Sequence, residues 1–164
     1  MDDFDKKNVG LTNSELRVSK IKEGTVIDHI TGGYAFEVTK ILRITGKEKA
    51  TITIAMNVPS KQLRVKDILK IEGRILNSDE VNKIALIAPY ATINIIKDFA
   101  VLNKLEVVLP DIVQNIVKCP NFRCISNSNE PIVTKFCVEN KEPLLLKCHY
   151  CRCLIEEADI LQQL

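Results

Sequence analysis

Cys119-Pro-Asn-Phe-Arg-Cys124 and, further along, Cys148-His-Tyr-Cys151 decide how this chain is read. All 6 cysteines lie between Cys119 and Cys153, and none precedes them. Two short-gapped cysteine pairs are the spacing of a tetrahedral zinc site, each pair on one turn and the two turns closing on one ion. Cys119, Cys124, Cys148 and Cys151 are therefore the expected ligands of one Zn²⁺. Four thiolates leave no open coordination position, so the ion is structural, and a zinc hydrolase, which needs a bound water, is excluded. His149 and Cys153 stand close enough to replace one ligand. Cys137, inside Phe136-Cys137-Val138, reads as a core residue.

The alternative use of cysteine is the disulfide. The start Met1-Asp2-Asp3-Phe4-Asp5 is acidic, unlike a secretory signal, and the expected location is cytoplasmic, where disulfides are rare. No apolar run approaches the length of a membrane span. The net charge is +2, with 17 Lys and Arg against 13 Asp and Glu in residues 1–105 and 6 against 8 in residues 106–164. The cysteine-bearing part is thus slightly acidic, and aromatic residues are only 5% of the chain. Both facts disfavour a zinc ribbon that grips nucleic acid, which needs a basic face and stacking aromatics. A redox role for Cys148-x-x-Cys151 is disfavoured by the second cysteine pair.

Taken in order, residues 1–15 are polar and aperiodic and read as a disordered arm. Leu16–Ile21 and Gly24–Ile30 alternate as strands. Tyr34, Val38, Ile41, Leu42 and Thr45 recur at helical spacing, so Gly33–Ile44 reads as an amphipathic helix, with a strand still possible. Thr51–Asn57 is a strand stopped by Val58-Pro59-Ser60, and Asp67–Glu72 is another. Ser78 reads as the N-cap of a second helix ended by Pro89. Thr92–Ile96 and Phe99–Asn103 form a hairpin around Lys97-Asp98. This is an α+β plan: a split βαβ, ferredoxin-like antiparallel sheet with two helices on one face. Glu106–Val117 reads as linker and docking segment. The zinc module, residues 110–164, is a small ribbon-like β domain with strands in Pro131–Val138 and Leu144–Lys147, and a tail that is strand or short helix. So little core needs the metal, which supplies about 10–16 kcal/mol of apparent folding energy in such modules.

No nucleophile elbow, P-loop or G-x-G-x-x-G occurs, so the chain is not read as an enzyme. Asp28 and His29 stand out inside the β-branched run Val26-Ile-Asp-His, because a charge and an imidazole in an apolar strand call for a site or an exposed face. They share a ligand only if the strand ends or twists there, since neighbours on a strand point to opposite faces. Lys66, Lys70 and Lys104 sit in or at the ends of strands. Singly each is an ordinary surface lysine; together they can hold a phosphate as point charges.

Gly24-Thr-Val-Ile-Asp-His-Ile30, Asn57-Val-Pro-Ser60, Lys66-Asp-Ile-Leu-Lys-Ile-Glu72, Ala85-Leu-Ile-Ala-Pro89, Ala91-Thr-Ile-Asn94, Cys119-Pro-Asn-Phe-Arg-Cys124-Ile-Ser126 and Leu146-Lys-Cys-His-Tyr-Cys151 occur in one order across both parts. Together they resemble the regulatory chain of aspartate carbamoyltransferase. The resemblance runs over about residues 16–153. It implies a non-catalytic subunit of pyrimidine biosynthesis that forms homodimers and bridges catalytic trimers. It also implies a domain over residues 16–105 that binds nucleotide effectors, CTP and ATP, and a zinc domain that docks on the catalytic chain. By matching position, Asp28 and Lys70 would meet the ribose, and His29 and Lys104 the triphosphate, with Lys66 nearby. Val18, Ile21, Val26, Asn94, Ile96, Phe99 and Val101 would line the base pocket. The chain departs from the bacterial members at Ser19, Lys20 and Phe99, the last where a tyrosine is usual.

Overall fold

The computed structural model describes residues 20–164. The expected arm, Val18 and most of the strand expected at Leu16–Ile21 lie outside the described residues. Lys20 and Ile21 belong to no strand. The first strand described is β1 (Gly24–Thr31), followed by α1 (Ala35–Ile41), β2 (Ile52–Ser60), β3 (Arg64–Glu72), α2 (Ser78–Ile87), β4 (Thr92–Lys97) and β5 (Ala100–Glu106). Their sheet runs β2-β3-β1-β4-β5 and is antiparallel throughout. The β1–α1–β2–β3–α2–β4 order with β1 and β3 central is the split βαβ arrangement, to which β5 adds an edge.

Alternation along the strands explains the layering. Thr25, Ile27, Asp67, Leu69, Ile71 and Ile93 are buried and face the helix side, while Val26, Asp28, Ile68, Lys70 and Asn94 between them are half-buried. Val38, Ile41 and Leu42 of the α1 region and Ile84 to Ala88 of the α2 region close over that side. The opposite face of the sheet carries no helix among the described residues.

Several local expectations are corrected. β2 does not stop at Val58-Pro59-Ser60 but runs through it, because β2 is an edge strand and proline can lack an amide there. The helix expected over Gly33–Ile44 is shorter, its flanks taken by turns. The N-cap of α2 is Asn77 and not Ser78: its side chain accepts from the Glu80 amide at 2.9 Å, and the Glu80 carboxylate accepts from the Asn77 amide at 2.9 Å. In the β4–β5 hairpin the two turn residues are Asp98 and Phe99, with φ of 51° and 63°, one step later than Lys97-Asp98. That is the left-handed pair a type I′ turn requires.

The second sheet, β6-β7-β8-β9, is built from β6 (Ile112–Gln114), β7 (Lys135–Lys141), β8 (Leu144–Cys148) and β9 (Leu154–Glu156), and ends in α3 (Glu157–Leu161). Ile112 and Val113, read as part of a linker, are thus a strand paired to Phe136 and Cys137. The expected strand over Pro131–Val138 begins only at Lys135. The tail is both strand and helix. Phe136, Leu146, Ile155 and Ile160 are fully buried, whereas Cys137 is half-buried on the other side of β7 and not in the core. No helix among the described residues is long and apolar enough to cross a membrane.

Candidate functional site

Two arrangements stand out, one in each sheet. In the second, the Sγ atoms of Cys119, Cys124, Cys148 and Cys151 all lie within 4.8 Å of one another. Cys119 and Cys151 are 3.5 Å apart and Cys124 and Cys148 3.7 Å. Sulfurs about 2.3 Å from a central zinc form a tetrahedron with edges of about 3.8 Å, so the cluster fits one structural Zn²⁺.

Local hydrogen bonding shapes both turns. The Asn127 side-chain amide donates to the carbonyls of Cys119 and Asn121 at 2.8 and 2.9 Å, bracing the first loop. The second closes through Arg152 N–H to the Cys148 carbonyl at 3.0 Å and Cys148 N–H to the Cys153 carbonyl at 2.8 Å. Neither His149 nor Cys153 joins the cluster. His149 is exposed, its ring edge-on to Tyr150, and the Cys153 thiol points at the Leu154 carbonyl.

Burial pushes the Cys119 and Cys148 thiols up. Burial works the same way on Cys151, but the Cys153 amide and bonds from Cys119, Asn121 and Cys124 outweigh it and bring that thiol down to about 6. A divalent ion deprotonates a coordinating thiol and compensates the crowded charge, so this donor set suits a cation. The Ser126 hydroxyl, 3.2 Å from the Cys124 sulfur, is a ready outer donor.

The second arrangement is the helix-free face of the first sheet. Register places Lys70, Val26, Asn94 and Lys104 in one row across four strands, and Asp28 opposite Thr92 in the row beside it. At Asp28-His29 the pairing of β1 with β3 shifts, and His29 has φ of 58°. This bulge lets adjacent residues serve one site, which a regular strand forbids. Asp28 is bound by Lys66 at 2.7 Å and accepts from the His29 amide at 2.7 Å. Burial lowers the Lys70 ammonium below the ordinary lysine range, opposed by the Asp28 charge.

His29 and Lys104 line one cavity of about 200 Å³, with Gln62, Tyr90, Thr92 and Glu106. The Nδ1 atom of His29 is buried without a hydrogen-bond partner among the described residues, the Asp28 carboxylate lying 3.6 Å away. Such orphans are rare in folded proteins and mark a place for a ligand or water.

At the far end of the same face, Ile96 pairs with Val101, Phe99 caps the turn, and the Phe99 amide donates to the Lys22 carbonyl at 2.9 Å beside the buried Ile21. Phe99 and Val101 are exposed. From Gly24 to Asp28 the face is four residue steps long, about 13 Å.

The sequence reading passed over Asp67, Thr92 and Tyr90. Asp67 had a signal, since it shares the parity of Leu69 and Ile71 and so had to be a buried charge. Its carboxylate accepts the amides of Gly33, Ala35 and Asn57 at 2.8, 3.0 and 2.8 Å, pinning the start of α1 and the β2 bulge.

Comparison with known proteins assigns both halves. A family model described as aspartate carbamoyltransferase regulatory chain, allosteric domain, matches residues 16–108, and one described as the metal binding domain of the same chain matches residues 111–161. An aspartate carbamoyltransferase regulatory chain of Methanothrix thermoacetophila is 54% identical over 141 residues, covering 86% of this chain and 92% of its own. Those of Pyrococcus abyssi (52% over 153 residues; 92% and 99%) and Thermofilum pendens (54% over 150 residues; 91% and 94%) are similarly close. The chain belongs to the family of aspartate carbamoyltransferase regulatory chains, with an allosteric domain followed by a metal-binding domain.

Proposed function

We propose that this chain is a non-catalytic subunit that binds nucleoside triphosphate effectors on the helix-free sheet face, forms homodimers and bridges catalytic trimers of aspartate carbamoyltransferase. The observation that carries the reading is the meeting of His29 and Lys104 in one cavity, at the end of a face whose other end is apolar. In this reading the triphosphate meets His29 and Lys104, with Lys66 nearby, and the ribose meets Asp28 and Lys70. The base lies toward Val18, Ile21, Val26, Asn94, Ile96, Phe99 and Val101. Cys119, Cys124, Cys148 and Cys151 ligate one zinc ion that holds the docking domain in shape.

Support for the partners comes from exposed surface. Among the described residues β5 pairs with β4 alone, and its Val101, Leu102 and Leu105 are exposed. An unpaired apolar edge is what a second copy would extend. Phe122, at 81% exposure, stands with exposed Ile125 and Val133 around the metal loops, a surface suited to the catalytic chain. The effector shifts the assembly only by its differential affinity for two states, and a coupling of about 1–3 kcal/mol gives a 5- to 150-fold effect.

The test is Lys104→Ala in the complex assembled with catalytic chains. Nucleotide should lose its effect on aspartate saturation while light scattering still reports the full complex. A retained nucleotide effect, or a complex that no longer forms, would count against the assignment.

A further inference from the structure

The two domains are joined by two hydrogen bonds of the same kind. The Tyr34 hydroxyl donates to the Glu157 carboxylate at 2.7 Å, and the Tyr90 hydroxyl donates to the Glu142 carboxylate at 2.6 Å. Each tyrosine belongs to the first domain and each glutamate to the second. Between them lies a cleft of about 100 Å³, walled by Leu86, Ile87 and Pro89 on one side and Pro143 and Leu144 on the other.

The two bonds differ in one respect. Tyr34 lines the cleft and not the cavity that holds His29 and Lys104. Tyr90 lines the cleft and also the cavity that holds His29 and Lys104. It sits in the tight connection between α2 and β4, where the Ala91 amide donates to the Ala88 carbonyl at 3.0 Å and the Val107 amide to the Ala91 carbonyl at 2.9 Å. Its backbone is therefore held while the residue is 43% exposed.

We propose that Tyr90 is the positioning residue through which occupancy of the His29–Lys104 cavity reaches the metal-binding domain. An anion entering a cavity of about 200 Å³, smaller than the ~300–1,000 Å³ of a whole small-molecule pocket, meets the phenol as one of its walls. The hydroxyl is a donor with two acceptors to choose from, the Glu142 carboxylate across the cleft and a phosphate oxygen in the cavity. Glu142 is repelled by the same anion. Both effects loosen the Tyr90–Glu142 bond when the cavity fills and leave the Tyr34–Glu157 bond as the pivot. This rests on the effector-site reading above and extends it to a named residue.

The experiment uses the complex assembled with catalytic chains, with ATP and CTP each as probe. It compares the unsubstituted chain with Tyr90→Phe, Glu142→Ala and Tyr34→Phe, measuring nucleotide Kd and the nucleotide-induced shift in half-saturating aspartate. At saturating nucleotide the shift should fall at least threefold in both Tyr90→Phe and Glu142→Ala, and Glu142→Ala, which leaves every wall of the cavity in place, should keep the nucleotide Kd within about twofold. Tyr34→Phe should keep the shift. A full shift in Tyr90→Phe at saturating nucleotide overturns the relay alone, and so does an equal loss in Tyr34→Phe, which would make the two bonds a simple brace. No nucleotide binding by the unsubstituted chain overturns the effector-site reading and the relay with it.

Discussion

The two sheets of this chain reach order by different routes. The five-stranded sheet buries one face under α1 and α2, with Ile27, Ile30, Val38, Leu69 and Ile84 fully enclosed. The four-stranded sheet has two strands of 3 residues, a helix of 5 residues and a handful of enclosed side chains, and its remaining buried volume is sulfur. Hydrophobic burial scales with the size of the core, so a small sheet needs a cross-link where a larger one does not. The contrast predicts that the halves fail separately under different insults.

The sharpest way to break it is to remove the metal. Chelation, or Cys148→Ala, should leave residues 112–161 without amide protection while residues 24–106 stay protected, a loss on the scale of about 10 kcal/mol for the metal domain alone. Loss of protection in both halves together would mean that the domains fold as one unit.

Cavities in the two cores come next. Ile27→Ala should cost about 2–5 kcal/mol in the denaturant midpoint of the first domain. Phe136→Ala, in a core with less to spare, should unfold the metal-loaded second domain at lower denaturant still. A milder loss in Phe136→Ala would mean that the cross-link, and not the apolar core, carries most of the second domain's stability.

Asp67 is a smaller lever confined to the first domain. Asp67→Ala strands three backbone amides, and each unsatisfied buried donor costs about 1–3 kcal/mol, whereas Asp67→Asn retains one acceptor oxygen and should lose less. Equal losses would show the charge to be the essential property. Smallest is Asn77→Ala, which opens the capping box of α2 for about 1 kcal/mol, read as a drop in thermal midpoint.

How much of this was legible in the chain follows from which contacts are local. The cysteine pairs are, and their spacing marks a metal site before any fold is known. Strand parity is local too: it puts Val26, Asp28 and Lys70 on one face and Asp67 on the other, although the buried carboxylate was passed over because neighbouring lysines make Lys66-Asp67 look like surface. Cap and turn residues were misplaced by one position, at Asn77 and at Asp98-Phe99, since asparagine and serine are comparable caps and the hairpin register depends on β1 and β4 pairing elsewhere. Pro59 was misread as a strand end because nothing in the sequence says that β2 lies on an edge.

By itself, then, the sequence determined the metal cluster, the two-part α+β plan and the family, because these rest on spacing, period and motif order. Only the tertiary structure decided that β1 bulges at Asp28-His29, where the carboxylate comes within 3.6 Å of the His29 Nδ1, and that Tyr90 and Tyr34 reach glutamates 52 and 123 residues away. The bulge is set by how β1 pairs with β3, and the tyrosine contacts by how the two sheets pack against each other. No local pattern encodes them, since the partners concerned are far apart in the chain.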